Sequence, residues 1–478
     1  MTALQHGPSP ADLGLALAQT ATLRHTDDAI EVTSFRRSFR ITDLRPEISA
    51  LVDSLRHGPR SRSDLAVAPS AGDGLEGARI DYVLTQFDRM GALSRTLTVD
   101  GEGLATLHPN HGFSPQPPLI HADGTYRLSR FAALQPHRCG PETGWQLTSP
   151  LGAARLVLTD TRCVAAAAAL VDGLTPAALA ERARLPLDVT AALLQMIVWC
   201  GAAERQADDG ALPEETSVAL RHWEPHDLQF HTLSRLGRHQ GVFGGAFPFR
   251  GVEPELPARR PLATENILPL KRPDPAALRQ ADPPFAHVLQ SRQSIRTFAS
   301  RPLEMDQVGE FLFRSAALKE VRRKDGIEVA FYPYPGGGAR SELTLYLAVP
   351  TDQALEPGLY RYEAEAHGLT RLSSLTAEVS ELLTDAKTTA GLAGHPPLLL
   401  IIAARFRRVS WKYRAMAYAV MLKNAGALIQ TLYLNATAMG LAGCALGGGN
   451  ADLFSRAIGS DYYEETSIGE FVLGPMPA

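Results

Sequence analysis

Apolar residues recur at helical spacing twice within the first 210 residues. A helix-like run over 48–56 ends near Gly58, SDLA follows at 63–66, and an amphipathic helix then carries Ile80, Val83, Leu84 and Phe87 on one face. MGALSR closes that copy at 90–95. In the second copy a run over 164–171 ends near Gly173 and AALA follows at 177–180. A helix with Leu193, Leu194, Ile197 and Val198 comes next, and CGAAER closes at 200–205. Helix, short helix, longer helix and hairpin is winged-helix order, and LSRTLTV (93–99), DGEG (100–103) and LATL (104–107) supply a wing. Each unit would be a small three-helix core.

The pattern changes after residue 253. Prolines recur at 254, 257, 261, 269, 273, 275, 283 and 284, so residues 253–285 read as an extended connector without helix or central strand. Beyond it, GLYRYEAEAHGLTRL (358–372) reads as a hairpin, and PPLLLIIAARF (396–406), apolar at almost every position, as a strand covered on both faces. The stretch 411–440 is small and apolar over most of its faces and reads as a core helix stopped by Gly440; EFVLGPMP (470–477) is a final strand. The chain therefore divides into 1–115, 116–210, a clasp and proline-rich linker over 211–285, and 286–478.

Composition narrows the class. A length of 478 residues exceeds one core, and 45% hydrophobic with 21% charged residues is ordinary for globular protein. A net charge of −4 gives no basic field for nucleic acid, and the segment 186–200 of the second copy has no lysine or arginine for phosphates. The first copy's arginines (Arg36, Arg37, Arg40, Arg56, Arg60, Arg62) scatter over several elements. Peptide docking, with an extended strand added to the wing, suits the region better, and a plain packing scaffold stands beside it. Cys139, Cys163, Cys200 and Cys444 lack CxxC spacing, which argues against zinc and disulfides and suits a reducing cytoplasm. The N-terminus MTALQHGPSPADLG has no signal-type core, and no run of membrane-spanning length occurs. His222, His226, His231 and His239 are spaced unlike metal ligands, so 221–239 reads as a clasp burying Trp223, Leu228 and Phe230.

Candidate chemistry gathers in the last 190 or so residues. In SRQSIRTF (291–298), Arg292, Ser294 and Arg296 alternate, so in an extended segment two guanidiniums flank a hydroxyl and form a socket for phosphate; a solvated surface stretch is the plain alternative. Gly336, Gly337 and Gly338 remove three successive β-carbons, letting amides approach a flat or anionic ligand, and ALGGGN (445–450) repeats the device. Lys412 beside Tyr413 sets a cation next to a phenol, which favours a phenolate base; a snorkelling lysine beside a packed tyrosine is the bland reading.

The order R-x-S-x-R-x-F, PGGGAR before a strand, GLYRY, WKY before an alanine-rich helix and a late GGG turn resembles the nitroreductase-like flavoproteins. More narrowly it is similar to the SagB/ThcOx group, azoline dehydrogenases of ribosomal peptide pathways. The resemblance covers residues 286–477 well and extends upstream through WEPHDLQFHTLSRLGRH. It implies an α+β protein. A C-terminal nitroreductase-like FMN domain, a mostly antiparallel central sheet flanked by helices, follows two winged-helix-like domains.

The resemblance implies FMN at a homodimer interface. The phosphate-side motif falls on Arg292, Gln293, Ser294 and Arg296. The flavin-side loop falls on Pro335, Gly336, Gly337 and Gly338, and the later ring contact on Leu446, Gly447 and Gly448. The catalytic pair falls on Lys412 and Tyr413. Gly336 stands where the family often has serine, and the core helix reads NAGA where many members have histidine after AG. The implied reaction turns a thiazoline or oxazoline of a precursor peptide into the azole: a base removes the proton from the Cα-derived carbon and a hydride passes to flavin N5. Tyr413 or Lys412 is the base. The N-terminal pair would dock the leader peptide or a cyclodehydratase. A flavin oxidase acting on a carrier-bound thiazoline, a nitro- or quinone-type reductase, and a non-catalytic peptide scaffold are the competing readings.

Overall fold

The computed structural model describes residues 13–35, 37–65, 75–139, 142–239, 241–262, 266–351 and 353–477. Residues 1–12, with the expected absence of a signal-type core, lie outside the described residues, as do Arg36 and Ala66 of SDLA. The chain forms two units, 1–241 and 242–478. The stretch expected as clasp and linker, 211–285, is thus shared between them.

In the first unit the helices Pro46–Arg56, Arg62–Leu65 and Leu75–Arg89 lead to the hairpin Leu93–Val99 and Glu102–Pro109, in the expected order. The apolar faces meet as the periodicity requires: Ile48, Leu51, Val52, Leu55, Ile80, Val83, Leu84 and Phe87 share one buried cluster. Thr161–Ala169, Pro176–Ala183 and Leu187–Trp199 repeat the helical part. That copy ends differently. A single strand, Ala203–Arg205, pairs antiparallel with Tyr126–Leu128 where a second hairpin was expected. Gly201 turns the chain at φ +74° against Gly152, where a β-carbon would lie 2.5 Å from the Gly152 nitrogen.

The expected wing is not a free edge. Its two strands are interior members of a six-stranded antiparallel sheet, in spatial order Gly14–Leu17, Leu93–Val99, Glu102–Pro109, Ala154–Leu158, Glu142–Thr148 and Ala133–Cys139. Strand addition to the wing is excluded, since its ladder groups are already paired. Phe230, expected inside the clasp, is 37% exposed, whereas Leu228 is buried on the same helix, Pro225–Leu233.

The second unit is built on a seven-stranded sheet in which each neighbouring pair is antiparallel. Its spatial order is Leu268–Pro269, Gly368–Ser374, Gly358–Glu363, Leu343–Val349, Leu398–Arg405, Glu465–Pro475 and Leu441–Leu446. The strand Leu398–Arg405 is buried at every position because its alternate side chains enter two cores. Leu400, Ile402 and Ala404 pack with Phe311, Leu428 and Leu432. Leu399, Ile401 and Ala403 pack with Leu382, Leu383 and Phe454. The core helix is Ala417–Ala438, and Gly440 stops it at φ +62°. The proline-rich stretch does hold a helix: Asp274 caps Pro275–Ala281, whose proline takes the first helical position, where no amide hydrogen is needed. No helix among the described residues is long and apolar enough to cross a membrane.

Phe471 is fully buried, edge-on to Tyr433 at 5.0 Å, with its ring where a β-carbon on Gly443 would stand. We expect Phe471→Ala to cost about 3–5 kcal/mol, read as a lowered urea midpoint of the second unit's transition.

Candidate functional site

The segment 292–298 lies against the outer strand of the seven-stranded sheet. The Ile295 amide donates to the Gly443 carbonyl at 3.0 Å, and the Ala299 amide to Pro475 at 3.1 Å. Arg292 ends the helix Phe285–Ser291, and its guanidinium sits 5.1 Å from the Tyr433 ring centre. The Ser294 hydroxyl is 2.8 Å from the Tyr433 hydroxyl, which also accepts from the Ala445 amide at 2.8 Å. Gln293, Ser294 and Arg296 are exposed. Among the described residues neither Arg292 nor Arg296 is in an ion pair. The same strand leads to Leu446, Gly447 and Gly448; β-carbons on those two glycines would meet nothing within 4 Å. The phosphate-type motif and the late glycine turn are therefore neighbours, joined by Tyr433. The third glycine of that turn, Gly449, abuts the Glu470 carboxyl, which burial holds above its ordinary value.

The second cluster forms at the opposite end of the long helix. Pro335 enters the glycine loop; the Gly337 amide donates to Asn424 Oδ1 at 2.8 Å, and Asn424 Nδ2 donates to Glu342 Oε1 at 2.7 Å. Burial keeps the Glu342 carboxyl above its usual range against the Asn424 bond. Gly338 is left-handed at φ +63°, and a β-carbon there would fall 2.3 Å from the Tyr413 hydroxyl and 2.9 Å from Lys412 Nζ. Gly336, at the family's serine position, faces Asn424 4.0 Å away. Loop and Lys–Tyr pair, 74 positions apart between Gly338 and Lys412, thus share one point in space.

The two clusters do not meet within one chain. Asn424 and Tyr433 are nine positions apart on the helix, which is about half a turn of net rotation and about 14 Å of rise. They stand on opposite faces. Sequence reasoning missed Tyr433 and Asn424; the available signal was a phenol and an amide inside a helix otherwise rich in small apolar residues. It also missed the buried arginines around the loop. Arg340 and Arg408 are both 0% exposed.

Residues 289–474 match the Nitroreductase family model. Residues 126–240 match the model for the Cyanobactin oxidase ThcOx. The second unit therefore carries a nitroreductase-family domain. With the upstream match, the chain combines a nitroreductase-family domain with a region similar to the cyanobactin oxidase ThcOx, a combination of the oxidoreductase class. A Methanocaldococcus jannaschii protein bearing a nitroreductase name is 29% identical over 160 residues, 34% of this chain and 76% of that protein. Among solved structures, a nitroreductase-named protein of Ralstonia eutropha covers 48% of this chain and 97% of its own at 23% identity and TM-score 0.36. A chain of the E. coli microcin synthetase McbBCD complex with truncated pro-MccB17 bound covers 55% and 100% at 15% identity and TM-score 0.33. A nitroreductase-named protein of Desulfovibrio desulfuricans in complex with FMN covers 41% and 88% at 14% identity and TM-score 0.28.

We expect Gly338→Ala to force Tyr413 and Lys412 aside and to add left-handed strain of about 1 kcal/mol or more, measured as a lowered thermal midpoint.

Proposed function

We propose that this protein is an FMN-dependent dehydrogenase that oxidises thiazolines or oxazolines in a ribosomally made precursor peptide to thiazoles or oxazoles. The observation that carries the reading is the convergence of Tyr413 Oη and Lys412 Nζ on Gly338, 2.3 Å and 2.9 Å from the place its β-carbon would take. A base and a cation thereby face a loop stripped of side chains, as a flat substrate and cofactor require.

The residues fit FMN. Arg292 and Arg296, outside any ion pair among the described residues, would hold its phosphate together with Gln293 and Ser294. Leu446, Gly447 and Gly448, and Pro335, Gly336, Gly337 and Gly338, would present backbone to its ring; the open space beside Gly447 and Gly448 accommodates such a contact. Bound FMN supplies the acceptor for two electrons.

Aromatisation removes two electrons and two protons from the azoline. In this reading Tyr413 Oη takes the proton from the ring carbon derived from Cα. Lys412, with Nζ 5.2 Å from the Tyr413 ring centre, supplies positive charge beside the phenolate that accepts this proton and becomes the phenol. The loop orients the ring and excludes water.

The two clusters occupy opposite faces of Ala417–Ala438, and in a homodimer each copy would contribute one of them to a shared site. Tyr418 and Leu422, 45% and 38% exposed on that helix, give it an apolar face to bury. In the first unit, leader-peptide or cyclodehydratase docking passes from the wing to the sheet's outer strands. Three described cysteines are free and buried, consistent with a cytoplasmic setting.

The purified protein should be yellow, and an azoline peptide should lose 2 Da per ring, the mass of two hydrogens. Colourless protein that takes up no FMN would leave a scaffold role instead. Arg292→Ala with Arg296→Ala should weaken FMN binding about tenfold or more in a fluorescence titration. Lys412→Ala and Tyr413→Phe should each lower turnover about a hundredfold or more while FMN stays bound; full turnover in both would remove the base assignment.

A further inference from the structure

The glycine loop and the Lys–Tyr pair are held together by charge buried beneath them. Arg340 follows the loop by two residues and Arg408 precedes Lys412 by four. They grip each other's backbone: Arg340 Nε donates to the Arg408 carbonyl at 3.1 Å, and Arg408 Nε to the Arg340 carbonyl at 2.6 Å. Both also donate to the Glu328 carbonyl, at 3.1 and 2.7 Å. Two fully buried cations so close repel each other, and one carboxylate lies between them. Glu255 Oε2 accepts from Arg340 at 2.6 Å and from Arg408 at 3.1 Å. Its other oxygen accepts the Glu328 amide at 2.9 Å. A third buried arginine, Arg405, bonds only carbonyls, at Pro257, Ala258 and Ser341. Burial, then the neighbouring Arg340, push the Arg408 guanidinium down to about 10. Burial raises the Glu255 carboxyl, but the Glu328 amide and the two guanidiniums outweigh it and leave it below its usual range.

Glu255 belongs to the proline-rich stretch read from sequence as a connector. Its neighbours are drawn in as well: the Leu256 carbonyl accepts from Arg408, and the Ala258 amide donates to Glu328 Oε2 at 2.9 Å. A segment with few amide hydrogens has carbonyls to spare, which suits it to line buried arginines. We infer that Glu255 is the positioning residue of this site: its carboxylate locks Arg340 to Arg408 and so holds residues 336–338 against Lys412 and Tyr413. Its catalytic meaning rests on the proposed function; the geometric claim does not.

The test uses the full chain. The reporting amides are those of Gly337, bonded to Asn424, and of Lys412 and Tyr413, both bonded to the Val409 carbonyl. In Glu255→Gln their hydrogen exchange should rise about tenfold, while the strand Leu398–Arg405 stays as protected as in the parent protein. FMN affinity by fluorescence titration should fall about tenfold, and at saturating FMN kcat should fall more than KM rises. Glu255→Asp, keeping the charge, should recover exchange to within about threefold. Unchanged exchange at Gly337, Lys412 and Tyr413 would overturn the inference. So would a rise that spreads equally to Leu398–Arg405, which would make Glu255 a general stability residue. If the parent protein bound no FMN, the functional reading would fail while the exchange comparison still decided the role of Glu255.

Discussion

A helix of 22 residues, Ala417–Ala438, is about 33 Å long, and that length is the constraint to which the second unit is fitted. Its buried face supplies Val420, Met421, Leu428 and Leu432 to the core under the seven-stranded sheet. Once seated there, it holds the glycine loop at one end through Asn424, and the edge segment with Ser294 at the other through Tyr433. Asn424 and Tyr433, through which it does so, stand about 14 Å apart along the rod and on opposite sides of it.

Beneath the loop the structure places charge where apolar packing would have been simpler. Arg340 and Arg408 lie inside the protein, tied to carbonyls and to one carboxylate. Such an arrangement contributes little net stability, because desolvating guanidiniums offsets most of what their bonds return. It does impose one geometry, since each donor has a single direction in which it is satisfied. The loop follows that geometry directly, two residues away.

Much of this was legible in the chain. The apolar run at 396–406 announced a doubly covered strand, 358–372 formed a hairpin, and the long core helix stopped at Gly440. The segment with Arg292, Ser294 and Arg296 bonds the sheet through the Ile295 and Ala299 amides. The wing, by contrast, rests on a local hairpin signal that cannot say how many neighbours a strand acquires. The connector rests on proline content, which forbids internal helix but is silent on which arginines will seek its carbonyls. The proline that starts Pro275–Ala281 sat at the one helical position where it does no harm.

Local pattern determined the main helices of the first unit, the long helix Ala417–Ala438 with its stop at Gly440, most strands of the second unit and the residue types able to hold an anion or move a proton. These depend on near neighbours, through periodicity, side-chain volume and φ preference. Only the tertiary structure decided that Gly338 meets Tyr413, that Tyr433 joins Ser294 to Ala445, and that Glu255 stands between two buried guanidiniums. Those contacts link residues far apart in the chain, and long-range pairing is chosen by the packing of whole elements and the satisfaction of buried polar groups, neither of which a window of sequence contains.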